Sequence, residues 1–223
     1  MTQQNWTEVD RYITDLLVAP DPALDAALAA SAAAGLPPIA VAPNQGKLLH
    51  LLARMQGARR ILEIGTLGGY STIWLARALP PGGRLVTLEA DPKHAEVARA
   101  NIARAGLAAS VELRLGRAAE TLPRIAAEGL DPFDLIFVDA DKPGTADYFA
   151  WALKLSRRGS VIIVDNVVRQ GAVTDAGSAD AAVQGIRRFN AVLAAERRVS
   201  ATELQTVGCK GHDGFALALV TSD

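Results

Sequence analysis

The sequence predicts an α/β protein in which helices cover both faces of a mostly parallel β-sheet. From residue 60 onward, short apolar runs alternate with turns and helical segments, the order that builds strand–helix–strand units. The first 60 residues read as helical, and the last two strand-like runs are joined by a short link that suits an antiparallel hairpin. Because crossovers between parallel strands are right-handed, few topologies remain for this order.

Each element is predicted from its apolar periodicity and from the glycine and proline residues that bound it. The expected helices are residues 6–18, 23–34, 44–55, 71–79, 92–105, 118–128, 145–156 and 180–196. The expected strands are residues 60–65, 84–89, 111–115, 133–139, 160–165, 200–207 and 214–221. We expect one domain, 1–223, with helices in 1–59 that contribute to a substrate or dimer surface and an α/β core in 60–223.

The composition is that of a globular protein without a strong charge bias. Of the 223 residues, 50% are hydrophobic and 21% are charged, and the formal net charge is -1. This balance predicts no nucleic-acid partner, because such binding needs a basic field. The single cysteine, Cys209, excludes an intrachain disulfide framework and fits a reducing cytoplasm. A polar start and the lack of a long apolar run predict no membrane partner, so we expect a cytoplasmic protein.

A glycine-rich turn follows the first predicted strand and reads Glu63-Ile64-Gly65-Thr66-Leu67-Gly68-Gly69-Tyr70-Ser71. Glycine lets the backbone turn sharply and approach a ligand closely. The helix that starts near Ser71 would offer free amides to a carboxylate or phosphate. The second strand ends at Glu89, where a carboxylate can accept the hydroxyl hydrogens of a ribose. The two features together predict an adenosine cofactor and leave NAD and S-adenosylmethionine both open.

The turn departs from the dinucleotide pattern Gly-x-Gly-x-x-Gly, because Glu63 occupies the first required glycine position. This departure argues against a dinucleotide. An anionic side chain suits the ammonium of a methionyl group better than it suits a pyrophosphate, so the turn favours S-adenosylmethionine.

Oxygen-bearing side chains follow the fourth and fifth predicted strands. If these strands are neighbours, Asp139, Asp165 and Asn166 converge at one edge of the sheet. Two carboxylates and an amide oxygen are hard ligands that suit Mg²⁺, with Ca²⁺ or Mn²⁺ as alternatives. Two adjacent open positions of such a cation would take both oxygens of a catechol. The sequence therefore predicts a divalent cation site formed by these three residues.

Lys142 lies on the same rim, shortly after Asp139. A free lysine is mostly protonated at neutral pH, but a nearby cation and partial burial favour its neutral form. Neutral Lys142 would take a hydroxyl proton as general base, and the metal would acidify that hydroxyl. The oxygen would then attack a sulfonium methyl group in line. Lys142 and Asp139 are thus the expected catalytic residues.

These motifs resemble those of the cation-dependent O-methyltransferases, the family that includes caffeoyl-CoA and catechol O-methyltransferases. The resemblance extends from about Ala40 to Val220, and its specific part is the pair Asp-Ala-Asp-Lys and Asp-Asn. It implies a Rossmann-like, class I S-adenosylmethionine-dependent methyltransferase fold, with a seven-stranded, mostly parallel sheet, an antiparallel last strand and commonly a homodimer. The matching runs are Val41-Ala42-Pro43-Asn44-Gln45-Gly46, Leu62 to Ser71, Asp139 to Lys142, Asp165-Asn166 and Gly211-His212-Asp213-Gly214-Phe215.

The resemblance also implies roles for individual residues. Ser71 would meet the methionine carboxylate, Glu89 the ribose, and the turn at Ala118 the adenine. Asp139, Asp165 and Asn166 would hold the metal, with Lys142 as the base. The residues that would line the S-adenosylmethionine site are Val41, Glu63, Gly65, Thr66, Ser71, Glu89, Ala118, Asp139 and Asp141.

The methyl acceptor implied by the resemblance is a small catechol-like or caffeoyl-like aromatic diol. Neither the amino-terminal helices nor residues 170–179 carry a motif that selects one acceptor. Two alternatives remain open: an NAD(P)-binding oxidoreductase and an S-adenosylmethionine-dependent methyltransferase of another small molecule. The oxidoreductase would use Glu89 but would not need the set Asp139, Asp165 and Asn166. A non-catalytic binding protein would not need Lys142 beside a metal.

Overall fold

The computed structural model describes residues 2–222, and the two ends of the predicted domain, residues 1 and 223, lie outside this range. Each predicted helix and strand is present within it. The helices are α1 Gln3–Leu17, α2 Pro22–Ala33, α3 Pro43–Gln56, α4 Tyr70–Ala76, α5 Pro92–Arg104, α6 Ala118–Ala127, α7 Thr145–Lys154 and α8 Ala181–Ala195. The strands are β1 Arg60–Ile64, β2 Arg84–Glu89, β3 Val111–Leu115, β4 Leu135–Val138, β5 Val161–Asp165, β6 Val199–Gly208 and β7 Gly211–Val220.

The strands form one seven-stranded sheet in the order β3-β2-β1-β4-β5-β7-β6. Strands β1 to β5 pair in parallel, and β7 is antiparallel to both β5 and β6. The chain builds outward from β1 to β3 and then returns to place β4 on the other side of β1. Loops at the carboxyl ends of β1 and β4 therefore diverge, which is where open α/β sheets bind ligands. This arrangement confirms the predicted sheet and its antiparallel last strand.

Helices cover both faces of the sheet, as predicted. Successive residues of a strand point to opposite faces, so neighbouring residues pack under different helices. Leu62 and Ile136 pack on the face covered by α6, α7 and α8. Ile61 and Phe137 pack on the opposite face, which is covered by α2 to α5. All four side chains are fully buried, so the central strands read as continuous apolar runs rather than alternating ones.

The final hairpin is tighter than the sequence indicates. The prediction places the second strand from residue 214, but β7 begins at Gly211, which pairs with Gly208 across a two-residue turn. Gly211 has a φ of 98°, a conformation that glycine adopts without steric cost.

Two short 3₁₀ turns, Lys142–Gly144 and Arg169–Thr174, are further features that the periodicity does not predict. Both lie in loops after the carboxyl ends of β4 and β5.

Among the described residues, no helix combines the length and the apolar character needed to cross a lipid bilayer.

Candidate active site

The carboxyl ends of β1, β4 and β5 meet at one edge of the sheet. In the parallel register Ile64 lies opposite Val138, and Val138 lies opposite Val164. Gly65, Asp139 and Asp165 each follow one of these positions, so the chain brings the three together. The convergence expected from the sequence is thus a consequence of the register of three neighbouring strands.

Gly65 passes very close to the end of β4. Its φ is 100°, and a Cβ atom built at this position would lie 2.1 Å from the backbone oxygen of Asp139. No other residue fits such an approach without moving one of the two loops. Gly65 therefore holds the glycine-rich turn directly beside the carboxylate-bearing edge of β4.

Glu63 is a fully buried carboxylate near the carboxyl end of β1, just before the glycine-rich turn. It accepts hydrogen bonds from the hydroxyls of Ser71 at 2.7 Å, Thr72 at 2.5 Å and Thr87 at 2.6 Å. Burial raises the pKa of Glu63 to about 7, and the three hydroxyl donors oppose that rise. The Ser71 hydroxyl proton is directed at Glu63, so its predicted contact with a methionine carboxylate stays a prediction.

Glu89 braces the same turn from the end of β2. Its carboxylate accepts the backbone N–H of Leu67 at 2.7 Å, of Thr66 at 3.3 Å and of Asp91 at 2.9 Å. The Thr66 side chain points inward, with its hydroxyl 2.6 Å from that of Thr87. A carboxylate has about four lone-pair sites, so these bonds leave Glu89 room to accept further hydrogens. The ribose contact predicted for it remains a prediction.

The other predicted cofactor residues lie on loops at this edge. Val41 is buried just before α3, and Ala118 is the first residue of α6. Asp141 is exposed, and its carboxylate accepts the Tyr148 hydroxyl at 2.5 Å and the Gly144 N–H at 3.2 Å. Asp141 thus caps the 3₁₀ turn after β4, a structural role that the sequence did not indicate.

Asp139 and Asp165 carry the predicted metal site. Lys142 Nζ donates to Asp139 Oδ1 at 2.9 Å, which places the predicted base against a predicted ligand. Asp165 is 5% exposed, and its Oδ1 accepts the N–H of Asn166 at 2.9 Å. Asn166 itself has a φ of 61°, an uncommon value for a residue other than glycine. Such backbone strain often marks functional loops.

The donor set fits a divalent cation. Burial and the neighbouring Asp139 carboxylate raise the pKa of Asp165 to about 7, while Lys142 acts in the opposite direction. The two carboxylates repel each other, and a bound cation would add positive charge to that of Lys142. No three His, Cys, Asp or Glu side chains of residues 2–222 cluster as metal ligands, so Asn166 would have to provide the third oxygen.

A cavity of about 270 Å³ opens beside Asp165 and Asn166. Its walls come from α1, the start of α3 and the β6–β7 hairpin. The two helices lie within residues 1–59, for which a substrate or dimer surface is expected, whereas the sequence did not connect the hairpin to the site. Each of these three elements contributes a polar residue that is discussed below: Asp10, Gln45 and Lys210. The full lining is Asp10, Ala42, Asn44, Gln45, Leu48, Asp165, Asn166, Thr206, Val207, Gly208, Lys210, Gly211, Asp213 and Phe215.

A second cavity, of about 480 Å³, lies at the amino ends of the strands and includes four arginines. Because it is at the opposite edge of the sheet, it does not belong to the site of Asp139 and Asp165. Its arginines are Arg59, Arg60, Arg84 and Arg157.

The chain is similar to known proteins over almost its whole length. A family model described as O-methyltransferase matches residues 20–219. The chain is 58% identical to a catechol O-methyltransferase of Niastella koreensis, over 99% of this chain and 100% of that protein. It is 56% identical to a catechol O-methyltransferase of Mycobacterium tuberculosis, over 98% of this chain and 97% of that one.

Solved structures of O-methyltransferases superpose over almost the whole chain. One from Bacillus cereus, in complex with SAH, has a TM-score of 0.98 at 59% identity and covers 99% of this chain and 100% of its own. TomG from Streptomyces achromogenes, involved in tomaymycin synthesis and in complex with SAM, has a TM-score of 0.96 at 58% identity, with complete coverage of both chains. These likenesses confirm the predicted methyltransferase fold, and the chain belongs to the O-methyltransferase family.

Proposed function

We propose that this protein transfers a methyl group from S-adenosylmethionine to a hydroxyl of a small catechol-like aromatic diol, with the help of a divalent cation. The observation that carries this proposal is the grouping of Asp139, Asp165, Asn166 and Lys142 at one edge of the sheet, where Asp165 and Asn166 also line an open cavity. Family membership supports methyl transfer to oxygen, and it favours this reading over the nicotinamide oxidoreductase. A methyltransferase of another small molecule remains the second candidate.

The methyl donor is proposed from both the comparisons and the first turn. Related structures hold SAM or SAH, and Glu63 offers a buried anion suited to a cationic amino group. The cofactor would be held by the predicted residues at the carboxyl ends of β1 and β2, on the loops and helix starts that follow β1, β3 and β4, and on the turn before α3. Those residues are Val41, Glu63, Gly65, Thr66, Ser71, Glu89, Ala118, Asp139 and Asp141.

The cation would be held by Asp139, Asp165 and Asn166, and Mg²⁺ fits this all-oxygen set best. When bound, S-adenosylmethionine would supply an electrophilic methyl group, and the cation would make the acceptor hydroxyl more acidic. Lys142 would receive the hydroxyl proton at Nζ, and Asp139 would keep that amine in place through their 2.9 Å contact.

The size of the cavity supports a single aromatic ring as the acceptor. An apolar cavity of about 150 Å³ is known to bind benzene in another protein. The 270 Å³ beside Asp165 thus has room for one ring with substituents. Catechol is the acceptor named for two relatives above 50% identity, which agrees with this size.

The test is methyl transfer from S-adenosylmethionine to a panel of catechols and caffeoyl esters, before and after EDTA. We expect activity on a one-ring catechol that EDTA abolishes and Mg²⁺ restores. Activity that resists EDTA would remove the metal role from Asp139, Asp165 and Asn166. Cofactor binding without turnover of any diol would exclude the proposed acceptor class.

We further propose that the protein acts as a homodimer in the cytoplasm, and that the helices of residues 1–59 form part of the acceptor site. None of the residues of α1, all of which are described, is buried in the single chain. Val9, Tyr12 and Leu16 follow one another at spacings typical of one helical face, and they are 56%, 66% and 63% exposed. An apolar face of this kind marks a protein contact.

A further inference from the structure

We propose that Gln45 is a positioning residue for the metal site, which orients the Asp165 carboxylate from the first turn of α3. The inference rests on the proposed function, because it takes Asp165 as a metal ligand. The side chain of Gln45 comes from α3, whereas Asp165 lies at the end of β5.

The two oxygens of Asp165 are held by different parts of the chain. Oδ1 accepts the N–H of the adjacent Asn166 at 2.9 Å, and Oδ2 accepts Nε2 of Gln45 at 2.8 Å. The first bond moves with the β5 loop, whereas the second ties the carboxylate to α3, 120 residues earlier in the chain. Together they fix the plane of a buried carboxylate that a single bond would leave free to rotate.

The position of Gln45 is itself fixed on three sides. A Cβ atom at the next residue, Gly46, would lie 2.4 Å from Cδ1 of Trp74, so α3 packs directly against the α4 indole. The preceding residue, Asn44, donates to Asp10 Oδ1 at 2.8 Å. Asp10 Oδ2 accepts the Cys209 N–H at 2.7 Å, which joins α1 to the β6–β7 hairpin. The first turn of α3 is thus clamped between α4, α1 and the hairpin.

A neutral amide suits this task better than a charged donor. It contributes an N–H that orients the carboxylate, yet it adds no positive charge to compete with a cation. Each carboxylate oxygen has two lone pairs, so Oδ2 can accept Gln45 and still face a metal. Loss of such an outer partner typically lowers metal affinity by about 10- to 100-fold.

The experiment compares Gln45→Met with a matched control on the same helix, Gln56→Met. Gln56 lies at the far end of α3 and bonds to the backbone oxygen of Gly159, away from Asp165. Binding of Mn²⁺ alone is followed by the paramagnetic resonance signal of the free ion, and SAH binding is followed by calorimetry. For Gln45→Met we expect the Mn²⁺ Kd to rise about tenfold or more. The SAH Kd should change by less than about twofold, and the control should leave both constants unchanged.

A second variant keeps the test available if Gln45→Met does not fold. Gln45→Asn keeps an amide in the cavity but is one methylene too short for Oδ2 of Asp165, so it should weaken Mn²⁺ binding as well. A folded Gln45→Met or Gln45→Asn protein with wild-type Mn²⁺ affinity would overturn the inference while leaving the metal site intact. If the wild-type protein binds no Mn²⁺ or Mg²⁺, the metal part of the proposed function fails, and the inference fails with it.

Discussion

Glu63 and Asp165 are two buried carboxylates with the same need for a cationic partner. Glu63 accepts hydrogen bonds from three hydroxyl groups, and Asp165 accepts two N–H hydrogen bonds and is repelled by the charge of Asp139. The pKa of each is raised to about 7, mainly by burial. A buried anion costs stability unless a positive charge offsets it. On the proposed function, the ammonium of the methyl donor would meet Glu63 and a divalent cation would meet Asp165.

Lys142→Ala tests the proposed base. Removal of a general base typically lowers turnover by about 10²- to 10⁴-fold, and Lys142 contacts Asp139 rather than the glycine-rich turn. We expect kcat to fall within this range while the Kd for SAH changes by less than about threefold. Lys142→Arg keeps a hydrogen-bond donor near Asp139 but stays protonated, so it cannot receive the hydroxyl proton and should not restore turnover. Equal losses of kcat and SAH affinity would contradict the assignment of Lys142 as the general base.

Glu63→Gln tests the buried anion through pH. The pKa of Glu63 is raised from 4.5 to about 7 in the folded state, so between these values the folded state binds more protons than the unfolded state. The free energy of unfolding therefore falls as pH rises through this interval, by up to about 3 kcal/mol. Urea unfolding from about pH 4.5 to 8 should show a shallower fall for the variant. Asp165 contributes a fall of the same sign in both proteins, so the difference between their slopes is the readout, and identical slopes would contradict the prediction.

The turn between β1 and α4 gives a prediction at the scale of an element. Gly65→Ala would place a methyl group 2.1 Å from the Asp139 backbone oxygen, at a φ of 100°. Gly57→Ala is a matched control, because Gly57 also has a positive φ, 65°, but nothing lies within 4 Å of its added Cβ. Backbone strain alone costs about 1–3 kcal/mol, so both variants should lose stability.

The clash should distinguish the two variants. We expect Gly65→Ala to lose clearly more stability in urea unfolding than Gly57→Ala, and to bind SAH at least about tenfold more weakly. Gly57→Ala should bind SAH like the wild-type protein, since Gly57 precedes the amino end of β1 whereas Gly65 follows its carboxyl end, at the opposite edge of the sheet. If both variants bind SAH equally well, the approach of the turn to β4 is not essential for the cofactor site.

The elements show which parts of the site a sequence can predict. Asp139, Asp165 and Asn166 follow buried apolar strands, and parallel pairing carries such positions to one edge, so their convergence was predictable. The contact of Gln45 with Asp165 was not, because periodicity gives the apolar face of α3 but not where the helix sits over the sheet. The same limit applies to Asp10 and to Lys210, which reach the cavity only through packing of α1 and the hairpin. Local patterns predict elements and strand ends, while contacts between distant elements depend on the packed core.

On the scale of the whole molecule, the amino-terminal helices leave apolar surface uncovered. α1 packs against α3 and β6. On α3, Leu51 and Met55 are 45% and 80% exposed, and on β6 Leu204 is 50% exposed. These exposed apolar residues thus lie on the two elements against which α1 packs. Because α1, α3 and β6 also form walls of the cavity at Asp165, a contact with a second copy of the chain would stabilise the acceptor site.

Leu16→Lys tests the proposed homodimer. We expect light scattering after gel filtration to give the wild-type protein about twice the chain mass of 23.4 kDa. A charge at Leu16, which is 63% exposed on the apolar face of α1, should yield the monomer because a buried unpaired lysine is costly. Leu130→Lys is the matched control, since Leu130 is 41% exposed in the loop after α6, and it should remain dimeric. A monomeric wild-type protein would contradict the dimer, whereas a dimer that survives Leu16→Lys would move the interface away from α1.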